Sequence, residues 1–145
     1  ELLAIDRHNE YHNSKAAANA GVAPEIIRHF PEHSVMVLKF LEGRTMSKDL
    51  LNQSGMPTRM AQSIKQLHSG ERFLTDFNMF RLTEYYLRLC SERGFKIPAD
   101  YPERMPTVNE IEKAMSVKPR ATVPCNNDLL AENYIDDGKQ LWLID

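Results

Sequence analysis

The segment that most limits what this chain can fold into lies near its C-terminal end. Two short apolar runs, Tyr134-Ile135 and Leu141 to Ile144, flank Asp136-Asp137-Gly138-Lys139. Asp-Gly between such runs is a strong turn signal, so the pattern predicts an antiparallel β-hairpin. Pairing has a geometric consequence. Asn133 immediately precedes the first strand and Asp145 immediately follows the second, so the two oxygen-bearing side chains converge. Asp128 stands five residues before Asn133 in a loop-like stretch, Pro124-Cys125-Asn126-Asn127-Asp128, which places a second carboxylate within reach of the same edge. Hard cations such as Mg2+ take one or two carboxylates together with substrate phosphates and water, which this cluster is able to offer. Asn and Asp at strand ends also build turns through local side-chain to backbone bonds, and spacing alone leaves both readings open.

Upstream the order is helix, two strands, then helices. Asp6 is placed to cap a helix running through Lys15 to Ala20, with Gly21 where a left-handed C-terminal residue is wanted. Val22 to Ile27 and Ser34 to Leu41 are short, apolar and β-branched, and Phe30-Pro31-Glu32-His33 between them predicts a turn joining neighbouring strands. Glu42-Gly43 breaks the second strand. Met60, Ile64 and Leu67 recur at helical spacing, as do Leu82, Tyr85, Tyr86 and Leu89 in a segment ending at Gly94. Pro98, Pro102 and Pro106 punctuate a loop. Thr107 with Glu110 predicts a capping box opening a short helix to about Met115, stopped by Pro119. The absence of internal repeats argues against a solenoid.

Composition excludes some functions. With 42% hydrophobic and 26% charged residues in 145, the chain has ordinary globular content, and a formal net charge of -2 supplies no basic field to attract nucleic acid. Cys90 and Cys125 lie far apart without CxxC spacing, which fits a reducing compartment and argues against a zinc site or a disulfide framework. No apolar run approaches the roughly 18 to 20 residues of a membrane span, and nothing at the start reads as a signal peptide, so no membrane role and a cytoplasmic location are expected. The first residue is Glu1 rather than Met, and Asp145 directly follows an apolar run, so the chain is expected to be a piece of a longer one.

Other residues invite functional readings that weaken on inspection. His8 and His12 are four apart on the expected helix but lack a third ligand, so a solvated face is the better reading. His29 and His33 flank a turn and are expected to be exposed. His68 sits near a helix end. Tyr85, Tyr86, Phe73, Phe77 and Phe80 contain the material of an aromatic cage for a quaternary ammonium, but helical spacing favours core packing.

The combination at the C-terminal end carries more than its parts. Asn127-Asp128-Leu129-Leu130-Ala131-Glu132-Asn133, then a hairpin, then Leu143-Ile144-Asp145, resembles the catalytic and metal-binding loops of the choline and ethanolamine kinase family, whose fold is shared with the aminoglycoside phosphotransferases. Asp6-Arg7-His8-Asn9-Glu10-Tyr11 looks like the start of the family's N-lobe helix. Val35 to Leu41 with Glu42-Gly43 looks like the last N-lobe strand entering the hinge, and Gln66-Leu67-His68 resembles a common helix ending. The resemblance implies an α+β, protein-kinase-like two-lobed fold in part: residues 1–42 as a partial N-lobe ending at the hinge, and residues 43–145 as a partial C-lobe.

It also implies roles. Asp128 would orient or deprotonate an acceptor hydroxyl; Asn133 and Asp145 would hold Mg2+; backbone groups around Lys39, Phe40 and Leu41 would meet the adenine of ATP; and Glu10 would orient a lysine that the sequence does not contain. Choline is the leading acceptor, with ethanolamine, thiamine or an aminoglycoside behind it. The family usually has His two residues before the catalytic Asp, where this chain has Asn126. The Gly-rich phosphate loop is also missing, so the 145 residues alone are expected to catalyse poorly. Two alternatives remain: a kinase-like protein that binds nucleotide without transferring phosphate, and a structural helical module whose Asn and Asp residues only build turns.

Overall fold

Asp6 opens the first helix as its residue type predicts. In the computed structural model, which describes residues 6–118 and 121–144, its carboxylate accepts the backbone N–H groups of His8 and Asn9 at 2.9 and 3.2 Å, and α1 spans Arg7–Asn19. Gly21 follows at φ +74°, the left-handed conformation that closes such a helix.

The first strand is displaced from its expected place. It runs Ile26–Phe30 (β1) rather than from Val22 to Ile27. Val22 is already committed: its N–H closes the helix end on the Ala17 carbonyl at 3.2 Å, and its carbonyl accepts the N–H of Leu143 at 2.8 Å. Pro24 then has no N–H for a ladder. A 3-10 turn at Pro31–His33 and left-handed Ser34 lead into β2, Val35–Leu38, paired antiparallel to β1 with a register shift between Ile26 and Arg28. β2 is shorter than the expected run to Leu41; one further bond, Lys39 N–H to the Glu25 carbonyl at 2.8 Å, extends it before Phe40 emerges 85% exposed.

Gly43 therefore does not end the second strand. It permits a close approach, since a Cβ there would lie 2.6 Å from the Asp136 carbonyl oxygen. The two residues after it form an unanticipated strand, β3 (Arg44–Thr45). Next come a single turn capped by Ser47, α2 (Lys48–Leu51), and then α3 (Met56–His68), with Pro57 in its first turn.

Two further helices are α4 (Met79–Arg93) and α5 (Met105–Ser116). Asn78 caps α4 through the N–H groups of Phe80 and Arg81, and Gly94 closes it at φ +66°. The expected capping box is not formed. α5 begins at Met105, two residues before Thr107, because Pro106 suits the first turn, where its missing N–H costs no intrahelical bond. Glu110 pairs with Lys113 at 2.7 Å instead. Pro119, expected to stop this helix, lies outside the described residues. Arg81 joins α4 to α5 by bonding Glu112 at 2.5 Å.

The predicted hairpin is present as β4 (Tyr134–Asp136) and β5 (Leu141–Leu143), in register Tyr134 to Leu143, and β3 adds to its edge to make the sheet β3-β4-β5. Gly138 takes φ +86° in the turn.

The described chain separates into two compact units, one running to Thr75 and resuming at Val123, the other spanning Asp76–Thr122. The first unit's core is Val22, Met46, Leu67, Tyr134, Leu141 and Leu143, all buried, with Phe73 packed against it. Of the other aromatics, Tyr85 and Tyr86 meet edge to face at 5.4 Å in the second unit. Phe77 is exposed, against the expectation of core packing. His29 is half-buried rather than exposed, stacked on Tyr11 with ring centroids 3.9 Å apart.

Candidate active site

The hairpin is held in place by one face of α3. Arg59, Ser63 and Gln66, spaced about one helical turn apart, each bond a polar group of another segment. Arg59 grips the Asp136 carboxylate with two nitrogens at 2.6 and 2.9 Å. Ser63 Oγ donates to the Leu141 carbonyl at 3.0 Å inside the core, and Gln66 donates to the Ala20 carbonyl at 2.7 Å. From the hairpin side Gln140 donates to the Gly21 carbonyl at 3.0 Å. These bonds fix the two strands whose outer ends carry the expected chemistry.

At those ends the pairing continues past the ladder as far as Ile144. The N–H of Ile144 bonds the Asn133 carbonyl at 3.1 Å, one residue beyond the last ladder pair. Asp145 itself lies outside the described residues. Asn133 closes a 3-10 turn, Ala131–Asn133, and its side-chain amide reaches back across the loop. Nδ2 donates to the Asp128 carbonyl at 2.9 Å and to Asp128 Oδ2 at 3.3 Å. Asp128 and Asn133 are therefore brought together.

On the other side of Asp128, its backbone N–H donates to Oδ1 of Asn126 at 2.7 Å. The Asn126 side chain thus acts as an acceptor at this bond. The Cys125 thiol donates to the Asn126 carbonyl and to Asn127 Oδ1 at 3.6 and 3.5 Å. Asp128 is exposed.

A cleft of about 360 Å3 lies beside this loop, bounded by Ala17, Leu38, Phe73, Asn126, Asp128 and Ile144 among others. A second cleft, about 390 Å3, shares Leu38 and Ile144 and is bordered by Arg7 and Glu10. Glu10 thus stands on the same cleft as the residue preceding Asp145, with Arg7 bonded to its carboxylate at 2.6 Å. Near the expected hinge, the Lys39 N–H donates to the Glu25 carbonyl at 2.8 Å, and Phe40 beyond it is exposed.

The donor chemistry suits a hard cation. The Nδ2 of Asn133 is occupied within the loop, leaving Oδ1 with no partner among the described residues, beside the oxygens of Asp128. No group of three His, Cys, Asp or Glu with metal-binding geometry occurs among the described residues. None of their helices is long and apolar enough to cross a membrane.

Sequence reasoning missed the α3 clamp and the strand β3. The clamp did leave a trace, since Arg59, Ser63 and Gln66 fall on one helical face, but their partners are 46 to 78 residues away and had no local signal. No pattern announced β3, which is two residues long.

The fold is similar to that of solved choline/ethanolamine kinase family proteins. The chain superposes on a choline/ethanolamine kinase family protein from Mesorhizobium loti with a TM-score of 0.83 at 32% identity, covering 99% of this chain and 49% of that one. It also superposes on the choline kinase LicA from Streptococcus pneumoniae with a TM-score of 0.79 at 24% identity, covering 100% and 51%. The fold is a partial kinase-like one, mixed helix and strand. The family model described as Choline/ethanolamine kinase matches residues 2–145, and the chain belongs to that family. Protein LicA from Haemophilus influenzae is 27% identical over 153 residues, 99% of this chain and 55% of that protein. The chain thus spans about half the length of the relatives it matches.

Proposed function

We propose that this chain carries the catalytic and metal-binding loops of an ATP-dependent kinase that phosphorylates a small alcohol, choline first and ethanolamine next. The observation that supports it most is the Asn133 amide bridging to both the carbonyl and the carboxylate of Asp128. A bond of that kind sets the catalytic carboxylate at a fixed place relative to the metal-holding side chain.

In this reading the Asp128 carboxylate accepts a hydrogen bond from the acceptor hydroxyl and takes its proton as the new oxygen–phosphorus bond forms. The bond between the γ-phosphorus and its bridging oxygen breaks, and ADP leaves with that electron pair. Asn133 and Asp145 would hold Mg2+, which when bound would supply positive charge against the phosphate oxygens. The Lys39 carbonyl and the Leu41 N–H meet the adenine edge beside Phe40. Glu10 orients a lysine supplied from outside these 145 residues. A LicA structure on this fold, 23% identical over 98% of the chain, was solved with AMP, which motivates the nucleotide assignment. The residues carrying these roles are spread over one unit, and the 145 residues by themselves are expected to turn over poorly.

The test is a phosphoryl-transfer assay on the protein with its native flanking sequence, using Mg-ATP with choline, ethanolamine, thiamine and an aminoglycoside. Asp128→Ala is expected to lower kcat on the preferred acceptor at least about a hundredfold. Undiminished turnover in that variant overturns the assignment. Nucleotide binding without transfer to any acceptor would leave a non-catalytic nucleotide-binding protein.

A further inference from the structure

Asp128 is held by two asparagines, and only one of them belongs to the motif that identifies the loop. Asn133 fixes the carbonyl side of Asp128. Asn126 fixes the amide side, accepting the Asp128 N–H at 2.7 Å, shorter than either bond made by Asn133. We infer that Asn126 is a positioning residue for the phosphoryl-transfer step, holding the Asp128 backbone through its side-chain oxygen. The inference rests on the kinase reading above.

The argument is conformational. An exposed carboxylate on a loop places its oxygens according to the backbone torsions on either side of its own Cα. A bond to the N–H restrains one torsion and a bond to the carbonyl restrains the other, so both are needed to aim the side chain. Asn126 is half-buried and lines the same cleft as Asp128, so its side chain is restrained while the carboxylate faces outward. The contact follows the side-chain-to-i+2 pattern that Asn, and more weakly Ser, makes readily.

The residue type adds a property. An amide oxygen accepts at any pH, whereas an imidazole nitrogen in that position accepts only while unprotonated. Cys125 and Asp128 are the ionisable side chains among the cleft-lining residues around Asn126.

The experiment compares Asn126→Ala, Asn126→Ser and Asn126→His in the protein with its native flanking sequence, measuring kcat, both KM values, the melting temperature, and hydrogen–deuterium exchange at the Asp128 amide. Asn126→Ala is expected to lower kcat about tenfold with KM for ATP and acceptor unchanged, the loss that one hydrogen bond represents. Exchange at the Asp128 amide should quicken. Asn126→Ser should recover most of the kcat, and Asn126→His should add a fall in kcat below about pH 6.5 that the native protein lacks. Unchanged kcat in Asn126→Ala, whether or not exchange quickens, overturns the inference while leaving the kinase reading intact if Asp128→Ala is inactive. A drop in melting temperature with both KM values raised and no recovery by Ser overturns it in favour of a structural role. If the native protein transfers no phosphate, the kinase reading fails, and with it the catalytic role of Asn126; the exchange data then report only whether the bond forms.

Discussion

Arg59 on α3 and Asp136 at the end of β4 form a bidentate ion pair, at 2.6 and 2.9 Å, that ties a helix to the hairpin 77 residues away in sequence. The Asp136 side chain is 12% exposed and that of Arg59 26%, so the pair is shielded without being fully dehydrated. Such a pair falls between a surface bridge, worth little, and a buried one, whose breakage leaves an uncompensated charge.

Arg59→Met should therefore cost about 2 kcal/mol of stability, an intermediate value between those limits. Chemical denaturation of the native and single-variant proteins, closed into a cycle with Asp136→Asn, measures the coupling directly. An Arg59→Met protein as stable as the native one would show that the pair is a bystander of a hairpin held by its core alone.

The hairpin should also set an acid limit. The Arg59 guanidinium holds the Asp136 carboxyl below its ordinary value of 3.8. Asp137 is lowered to about 2, chiefly by the Gln140 N–H, then by the indole N–H of Trp142 and the Lys139 N–H. Both groups bind protons less readily folded than unfolded. Their stabilisation is complete above about pH 4 and is lost as pH falls below it, for Asp137 through about 2. Asp137→Asn keeps an acceptor oxygen but cannot titrate, so its denaturation midpoint should fall less steeply between pH 4 and pH 2. The indole N–H resonance of Trp142 should shift over the same range in the native protein. Parallel acid limbs for the two proteins would refute the assignment.

Tyr134 offers a test with the opposite sign. It is the most deeply buried side chain of the core, and its hydroxyl has no hydrogen-bond partner among the described residues, while burial pushes its pKa up. Tyr134→Phe keeps the ring and removes an unsatisfied polar atom, so stability should be unchanged or rise by up to about 1 kcal/mol. A loss of more than about 1 kcal/mol on thermal or chemical unfolding would mean the hydroxyl has a partner that holds it.

Legibility followed the range of the interactions. Asp6 capping α1, Gly94 closing α4 and Gly138 in the hairpin turn were readable because each depends on a few neighbouring residues. Where local rules competed, the sequence misled. Thr107 and Glu110 spelled a capping box, yet Pro106 drew the helix start back to Met105. Val22 looked like a strand residue, yet its two backbone groups are spent on α1 and on β5.

The candidate site divides in the same way. Its hairpin was legible in the sequence, because Asp-Gly turn chemistry and antiparallel pairing bring Asn133 and Ile144 together whatever surrounds them, whereas the role of Asp128 came from the resemblance of its loop. The tertiary structure alone decided how the hairpin is held: the α3 clamp on Asp136 and Leu141, and the β3 edge admitted by the bare Cα of Gly43. The clamp and the β3 edge depend on chain segments distant in sequence meeting at hydrogen-bond distance. No local pattern encodes either choice.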